Sequence, residues 1–183
     1  ATMTFSLRAR VVYPVDRPAI KDGVVTIDGE RIVAVGTQAP SGGRVQDLGD
    51  VALLPGLVNA HTHLEFSYLS QPLGHPGMRL ADWIRLVIAE RGRGDQSSDK
   101  NLLHGFAESQ RCGVTTIGDI STSAKSLPTD EVIHFHEVIG FSRARADSAL
   151  RALLDRIETL AAPQTAGPGI SPHAPYTVSP TLL

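Results

Sequence analysis

The chain has 183 residues, 42% of them hydrophobic, and its 17 basic and 19 acidic side chains leave a formal charge of −2. Because the charges are balanced and form no long basic or acidic block, nothing in the sequence favours nucleic acid or an anionic membrane as a partner. The single cysteine, Cys112, excludes an internal disulfide framework and any zinc site built from several cysteines.

The first fifty residues predict a small β-domain. Runs rich in β-branched and aromatic residues, separated by turn residues, predict strands over 5–13, 23–28, 31–35 and 44–48. Asp28-Gly29 lies between two alternating runs and is a typical hairpin turn. We therefore interpret residues 1–50 as the amino-terminal part of a small β-sandwich domain.

From residue 51 the pattern changes. The apolar run 51–58 predicts one fully buried strand of a parallel sheet, and it leads to His61 and His63. Side chains alternate along a strand, so the two histidines point the same way and can hold one metal ion. The alternative, a solvated loop that happens to carry two histidines, is disfavoured by the preceding strand and the Pro55-Gly56 break. Barrel enzymes place their chemistry at this end of a strand.

Helical and strand patterns alternate along the rest of the chain, which indicates parallel βα units. Helices are predicted over 78–91, from a cap at Ser97 or Ser98 to 110, over 142–160 and from Ser179-Pro180, and strands over 114–120, 132–139 and 168–171. A complete barrel needs eight strands and roughly 250 residues. We therefore expect residues 51–183 to be the first half of a barrel and the chain to be the amino-terminal part of a longer enzyme.

The segment Pro-Gly-Leu-Val-Asn-Ala-His-Thr-His, residues 55–63, resembles the first barrel strand of the amidohydrolase superfamily, in its cytosine-deaminase and chlorohydrolase-like branch. The continuation to Ser67, Asp82-Trp83-Ile84 and Glu90-Arg91 resembles the aminofutalosine deaminase-like and adenosine or S-adenosylhomocysteine deaminase-like members. Segments 113–119, 136–140 and 171–177 agree with this. The resemblance implies an α/β fold, a metal-dependent (β/α)8 TIM barrel preceded by a β-sandwich that the far carboxyl end completes.

The resemblance also implies a ligand set that this chain supplies only in part. His61 and His63 would bind one divalent metal ion, zinc or alternatively iron or manganese, together with a histidine and an aspartate from later strands. The acid–base glutamate and the histidine that orients water are expected downstream as well. We therefore expect no catalytic acid–base residue within these 183 residues, and an inactive chain when it is alone.

Three residues are expected near the substrate. His173 lies in the rigid turn Pro172-His173-Ala174-Pro175, and the resemblance implies that it contacts substrate rather than metal. Glu65 follows His63 by two residues, where a supporting contact to the metal ligands, a substrate contact and a solvated loop carboxylate are all open. Trp83 lies in the segment that covers the substrate in similar enzymes, although its helical spacing alone is typical of a core residue.

The role of Glu137 depends on which face of its strand it lies on. His134 and His136 form a second His-x-His pair, but they cannot point to the same face as Glu137. The resemblance favours Glu137 as the inward residue, either lining the pocket or as a buried carboxylate satisfied by neighbouring strands. Asp119 ends the second barrel strand, and its role stays open.

The implied activity is hydrolytic deamination of an aminopurine nucleoside-type small molecule such as aminofutalosine, an adenosine derivative or S-adenosylhomocysteine. Hydrolytic dechlorination and cyclic amide hydrolysis are alternatives, and a non-catalytic fragment or scaffold is another. Half a barrel exposes a strand edge, so we expect self-association through that edge. No stretch of about 18 apolar residues and no signal-peptide pattern is present, which favours a cytoplasmic protein without membrane contact.

Overall fold

The computed structural model describes residues 4–93, 99–122, 125–159, 167–180 and 182. The chain divides into two compact units, Ala1–Gly56 and Leu57–Leu183. In the part of the chain that the structure describes, no helix combines the length and the apolar character needed to cross a membrane.

The first unit is a five-stranded sheet. Its strands are β1 (Thr4–Val12), β2 (Ile20–Asp28), β3 (Arg31–Gly36), β4 (Arg44–Asp47) and β5 (Ala52–Leu53). The order is β3-β2-β1-β4, and β5 also pairs with β1; the pairs among β1, β2 and β3 are antiparallel, whereas β4 and β5 run parallel to β1. The hairpin predicted at Asp28-Gly29 is confirmed, and Gly29 adopts a φ of 59° in that turn.

The predicted single strand over 51–58 is wrong, because the run divides between the two units. Ala52–Leu53 joins the first sheet, whereas the strand that carries His61 begins at Leu57. Pro55-Gly56 separates them, as proline lacks an N–H for a continuous ladder. Leu57 and Val58 are 56% and 65% exposed rather than buried, since their strand lies at the edge of its sheet.

The second unit is a curled parallel half-barrel. Its strands are β6 (Leu57–Thr62), β7 (Val114–Ser121), β8 (Val132–Val138) and β9 (Gly169–Pro172), all parallel and in the order β6-β7-β8-β9. Its helices are α1 (Leu80–Arg91), α2 (Asp99–Arg111) and α3 (Arg143–Thr159). These elements match the predicted ones closely. The predicted caps Ser97 and Ser98 lie outside the described residues. Within the segment predicted as a helix from Ser179, the described residues Ser179, Pro180 and Leu182 are not helical, and residues 181 and 183 are not described.

One apolar cluster fixes the segment that follows β6. Leu64, in a 3₁₀ turn (Leu64–Phe66), packs with buried side chains of α2, β7, β8 and the loop before β8: Leu102, Ile117, Leu127 and Val132. Leu64 is 2% exposed. Burying a leucine contributes about 1.5–3 kcal/mol, so this contact anchors the chain directly after His63.

Candidate active site

The pairing of β6 with β7 is irregular next to the candidate site. The register with β7 shifts between Asn59 and Thr62, so that Ala60 and His61 lie opposite the single residue Gly118. A Cβ atom at Gly118 would lie 2.6 Å from the carbonyl oxygen of Ala60, a distance that only glycine permits. Bulges of this kind redirect side chains beside functional sites. The bulge therefore sets the direction of His61.

The two histidines at the end of β6 lie close together. Their ring centroids are 5.5 Å apart, with an angle of 77° between the ring planes. Two imidazoles that share a tetrahedral zinc ion at 2.0–2.1 Å have centroids about 5.3 Å apart, so the pair fits one ion. Among the described residues, no group of three or more histidine, cysteine or acidic side chains is arranged to hold a metal. The two histidines by themselves are fewer than the three or four protein ligands that a zinc site ordinarily has.

The surroundings of His63 favour its neutral imidazole. Burial, followed by the positive charge of Arg91, lowers the pKa of His63 below its ordinary value of 6.5. Arg91 Nη2 lies 3.4 Å from Nδ1 of the ring, and Glu65 Oε1 lies 4.0 Å from the same atom. The lowered pKa favours the neutral imidazole at pH 7, and only a neutral imidazole has a lone pair for a metal.

Arg91, the last residue of α1, joins the segments around His63. Its Nε donates to Glu65 Oε1 at 2.9 Å, its Nη2 lies 2.8 Å from the same oxygen, and its Nη1 lies 3.5 Å from Glu137 Oε2. The guanidinium also lies 5.3 Å from the ring centre of Phe66. Thr122 Oγ1 donates to the other Glu65 oxygen at 3.0 Å. Both oxygens of the buried Glu65 carboxylate are therefore held by the protein.

Glu137 and His173 bring β8 and β9 into the same cluster. The Glu137 side chain is 3% exposed, and its Oε1 lies 3.9 Å from His173 Nε2. The Thr177 hydroxyl donates to the carbonyl of Ala174 at 3.0 Å, so it accepts from His173 Nδ1 at 2.8 Å. This arrangement places the ring proton on Nδ1 and leaves Nε2 of His173 as an acceptor.

The structure brings together five of the six predicted site residues: His61, His63, Glu65, Glu137 and His173. Trp83 instead lies on α1 beside Gly74 and is 42% exposed. Arg91 was not predicted as a site residue. Its signal in the sequence was its place in the Glu90-Arg91 segment of the resemblance, but nothing local indicates that its side chain reaches two carboxylates.

The other His-x-His pair lies on the opposite side of β8. His134 and His136 are 2% and 0% exposed, and the contacts of His134 are with Asp119 and Leu127. Glu137 contacts Arg91 instead. Glu137 and the pair His134 and His136 therefore lie on opposite faces of β8, as alternation along a strand requires.

Residues 52–183 match the model of the amidohydrolase family. The chain belongs to this family. A 5-methylthioadenosine/S-adenosylhomocysteine deaminase of Nitratidesulfovibrio vulgaris (strain Hildenborough) is 28% identical to this amidohydrolase, across 97% of the present chain and 44% of its own length.

Two solved structures show the same fold. Helicobacter pylori aminofutalosine deaminase in complex with methylthio-coformycin has a TM-score of 0.68 and 22% identity, over 87% of this chain and 42% of its own. An adenosine deaminase of Xanthomonas campestris with bound zinc has a TM-score of 0.66 and 21% identity, over 98% of this chain and 45% of its own. The present amidohydrolase chain thus spans less than half the length of the proteins that it matches.

Proposed function

We propose that this chain forms the metal-binding and substrate-contacting half of an active site for hydrolytic deamination of aminopurine nucleoside-type compounds. The observation that carries the proposal is the convergence of the His61–His63 pair with Arg91, Glu137 and His173, from the ends of β6, α1, β8 and β9. Three similar proteins are named as deaminases of such compounds. Aminofutalosine, adenosine derivatives and S-adenosylhomocysteine are the proposed substrates.

His61 and His63 would hold a divalent metal ion. Zinc is the first choice, because the Xanthomonas campestris deaminase contains it, and iron or manganese remain alternatives. Such an ion, when bound, supplies a Lewis acid that makes water a nucleophile at neutral pH. The remaining ligands and the acid–base residues are proposed to come from a longer form of the protein.

Glu137 and His173 are the proposed substrate contacts. Glu137 Oε2 is paired in charge with Arg91 Nη1 at 3.5 Å, but among the described residues it accepts no hydrogen bond, although its side chain is almost fully buried. A buried carboxylate oxygen without a donor suits a ligand that brings an N–H, such as an amino group or a protonated ring nitrogen. His173 adds an acceptor at Nε2.

Glu65 and Trp83 have weaker support as substrate contacts than Glu137 and His173. Arg91 and Thr122 already occupy both oxygens of Glu65, which favours a supporting role for this carboxylate over direct contact with substrate. Trp83 is partly exposed on α1, so its contact with substrate stays a prediction.

The chain by itself is also proposed to self-associate through the edge of its sheet. β6 and β9 are the two edge strands, and Leu57, Val58 and Ile170 on them are all more than half exposed. Size-exclusion chromatography of the 183-residue chain should give species larger than a monomer. A clean monomer at all concentrations would argue against this proposal.

Metal analysis and an ammonia-release assay test the main proposal. A longer form that continues past residue 183 should retain zinc through purification and release ammonia from at least one proposed substrate. The 183-residue chain, which is expected to bind zinc only weakly, should lose the ion during purification and release no ammonia. Chloride release, or ring opening without ammonia, would favour the alternative hydrolases. Turnover by the 183-residue chain alone would refute the expectation that essential ligands lie elsewhere.

A further inference from the structure

We propose that Asp119 and His134 are positioning residues that hold His63 toward His61, an inference that rests on the proposed metal site. Asp119 Oδ1 accepts a hydrogen bond from the backbone N–H of Leu64 at 2.8 Å. Its other oxygen, Oδ2, lies 3.0 Å from Nδ1 of His134. The carboxylate therefore joins β8 to the peptide that directly follows His63.

Three hydrogen bonds link Leu127, His134, Asp119 and Leu64 in a relay. The direction of each bond follows from the backbone N–H of Leu127. The backbone N–H of Leu127 lies 3.0 Å from Nε2 of His134, and a backbone N–H can only donate. Nε2 therefore accepts, and in the neutral ring the proton lies on Nδ1, where it donates to Asp119. Asp119 then has its other oxygen free for Leu64. Each donor in the relay faces an acceptor.

Burial makes this relay costly to break. Asp119, His134 and Leu64 are each 2% exposed, and Leu127 is 4% exposed. Water cannot readily replace a lost partner at such depth, so an unpaired member carries its full desolvation cost. The relay thus restrains the peptide between His63 and Leu64 strongly.

His63 is restrained from two sides as a result. Its ring contacts Arg91 and Glu65, whereas its following peptide is held by Asp119 from the face of β7 that packs with α2 through Ile117. At His63 the backbone has φ −122° and ψ 88°, outside the helical range, where the chain turns from β6 into the 3₁₀ turn. The carbonyl of His63 also accepts from the N–H of Phe66 at 3.1 Å, within the 3₁₀ turn. If the Leu64 bond is lost, we expect the His63–Leu64 peptide to shift and to carry the ring of His63 away from His61.

Four variants of the full 183-residue chain test the inference. D119N places an amide N–H₂ against one of the two donors, either the Leu64 N–H or the His134 Nδ1–H, and H134L removes both polar ring atoms. H134Q keeps one donor and one acceptor and should rescue. L153A removes a buried side chain of α3 in the same unit and controls for lower stability alone.

Nuclear magnetic resonance of the metal-free chain gives the first readout. We expect a ring-to-ring contact between His61 and His63 in the wild type, H134Q and L153A, and its loss in D119N and H134L. Should D119N fail to fold, H134L against H134Q still decides the question. The inference is overturned if the ring contact persists in D119N and H134L, or if L153A loses it equally.

Titration with zinc alone separates this inference from the proposed function. Loss of a residue that supports a ligand typically weakens metal binding about 10–100-fold, and we expect at least the lower value for D119N and H134L, with H134Q close to the wild type. Wild-type binding with unchanged affinity in D119N and H134L overturns the positioning role and leaves the proposed metal site standing. A wild type that binds no zinc at the two histidines overturns the proposed site, whatever the ring contacts show.

Discussion

Arg91 and Glu65 form an ion pair in which the carboxylate oxygen Oε1 accepts a hydrogen bond from Nε at 2.9 Å and lies 2.8 Å from Nη2. The Glu65 side chain is 6% exposed and that of Arg91 is 26% exposed. Because Arg91 is the last residue of α1 and Glu65 lies just after β6, this pair joins the end of a helix to the segment that carries His61 and His63.

Replacing Arg91 by methionine should destabilise the second unit by about 2 kcal/mol, because it leaves the buried Glu65 carboxylate without its cation. The matched change R85M, in the same helix, removes an exposed pair with Asp82 and should cost less than about 1 kcal/mol. Urea unfolding followed by the fluorescence of Trp83, the single tryptophan, measures both. Equal losses in the two variants would contradict the role of Arg91.

Zinc should bind the 183-residue chain weakly and through His61 and His63. H61A and H63A should each reduce the affinity by at least about tenfold, since a lone imidazole retains little of a shared site. H75A removes a histidine of the exposed loop before α1 and should leave the affinity unchanged. Isothermal titration calorimetry measures all four proteins. Loss of binding in H75A but not in H63A would refute the assignment.

The pKa of Tyr68 should be higher than that of an ordinary tyrosine. Partial burial of its hydroxyl, with the hydrogen bond to Glu90 Oε1 at 2.7 Å, raises the pKa of Tyr68 from 10.0 to about 12. The folded state thus keeps the phenol neutral after the unfolded state has lost its proton. This contribution to stability is complete below pH 10 and is lost as the pH rises to about 12.

The variant Y68F tests this pH dependence. Between pH 10 and 12 the unfolding free energy of the wild type should fall more steeply with pH than that of Y68F. The absorbance difference between the two proteins should show one phenolate with a midpoint near 12. Y176F, which removes an exposed tyrosine, should retain that step. Identical pH slopes for wild type and Y68F would rule out the raised pKa.

Glu137 should matter more for substrate than for folding. In a longer, active form, E137Q should weaken substrate binding by roughly 10–100-fold, the loss expected for one charged hydrogen bond of about 1.5–3 kcal/mol. Arg91 still has Glu65 as its partner, so the stability should change little. E131Q, which alters an exposed glutamate just before β8, is the control. A KM unchanged in E137Q would exclude direct contact with substrate.

The elements of the second unit were predictable because their signals are local. The helical spacing of apolar residues before Gly92 predicts α1, and strand alternation places Glu137 opposite in direction to His134. The division of 51–58 between two sheets was not predictable, since an apolar run does not indicate which strands its residues will pair with. Likewise, the direction of the Arg91 side chain depends on tertiary contacts that no spacing encodes.

The bulge beside His61 shows the same limit, because its cause lies on another strand. Asn59 Oδ1 accepts from the backbone N–H of His61 at 3.3 Å, a local bond that accompanies the irregularity. The close approach itself requires Gly118 of β7, which admits the carbonyl of Ala60. Sequence reasoning that assumed regular alternation still paired His61 with His63, as their ring separation of 5.5 Å shows. The geometry behind that pairing differs from a regular strand.

Replacing Gly118 by alanine tests whether this close approach determines the position of His61 relative to His63. The new Cβ would lie 2.6 Å from the carbonyl oxygen of Ala60, so β6 must move away from β7. Overpacking of this kind costs about 1–3 kcal/mol, and the displaced strand should carry His61 away from His63 and weaken zinc binding. The control G92A meets no atom nearer than 3.5 Å at a φ of −81°, so its stability should be unchanged or slightly higher. Urea unfolding and zinc titration of both variants decide the matter: a G118A chain with wild-type zinc affinity would mean that the bulge does not set the direction of His61.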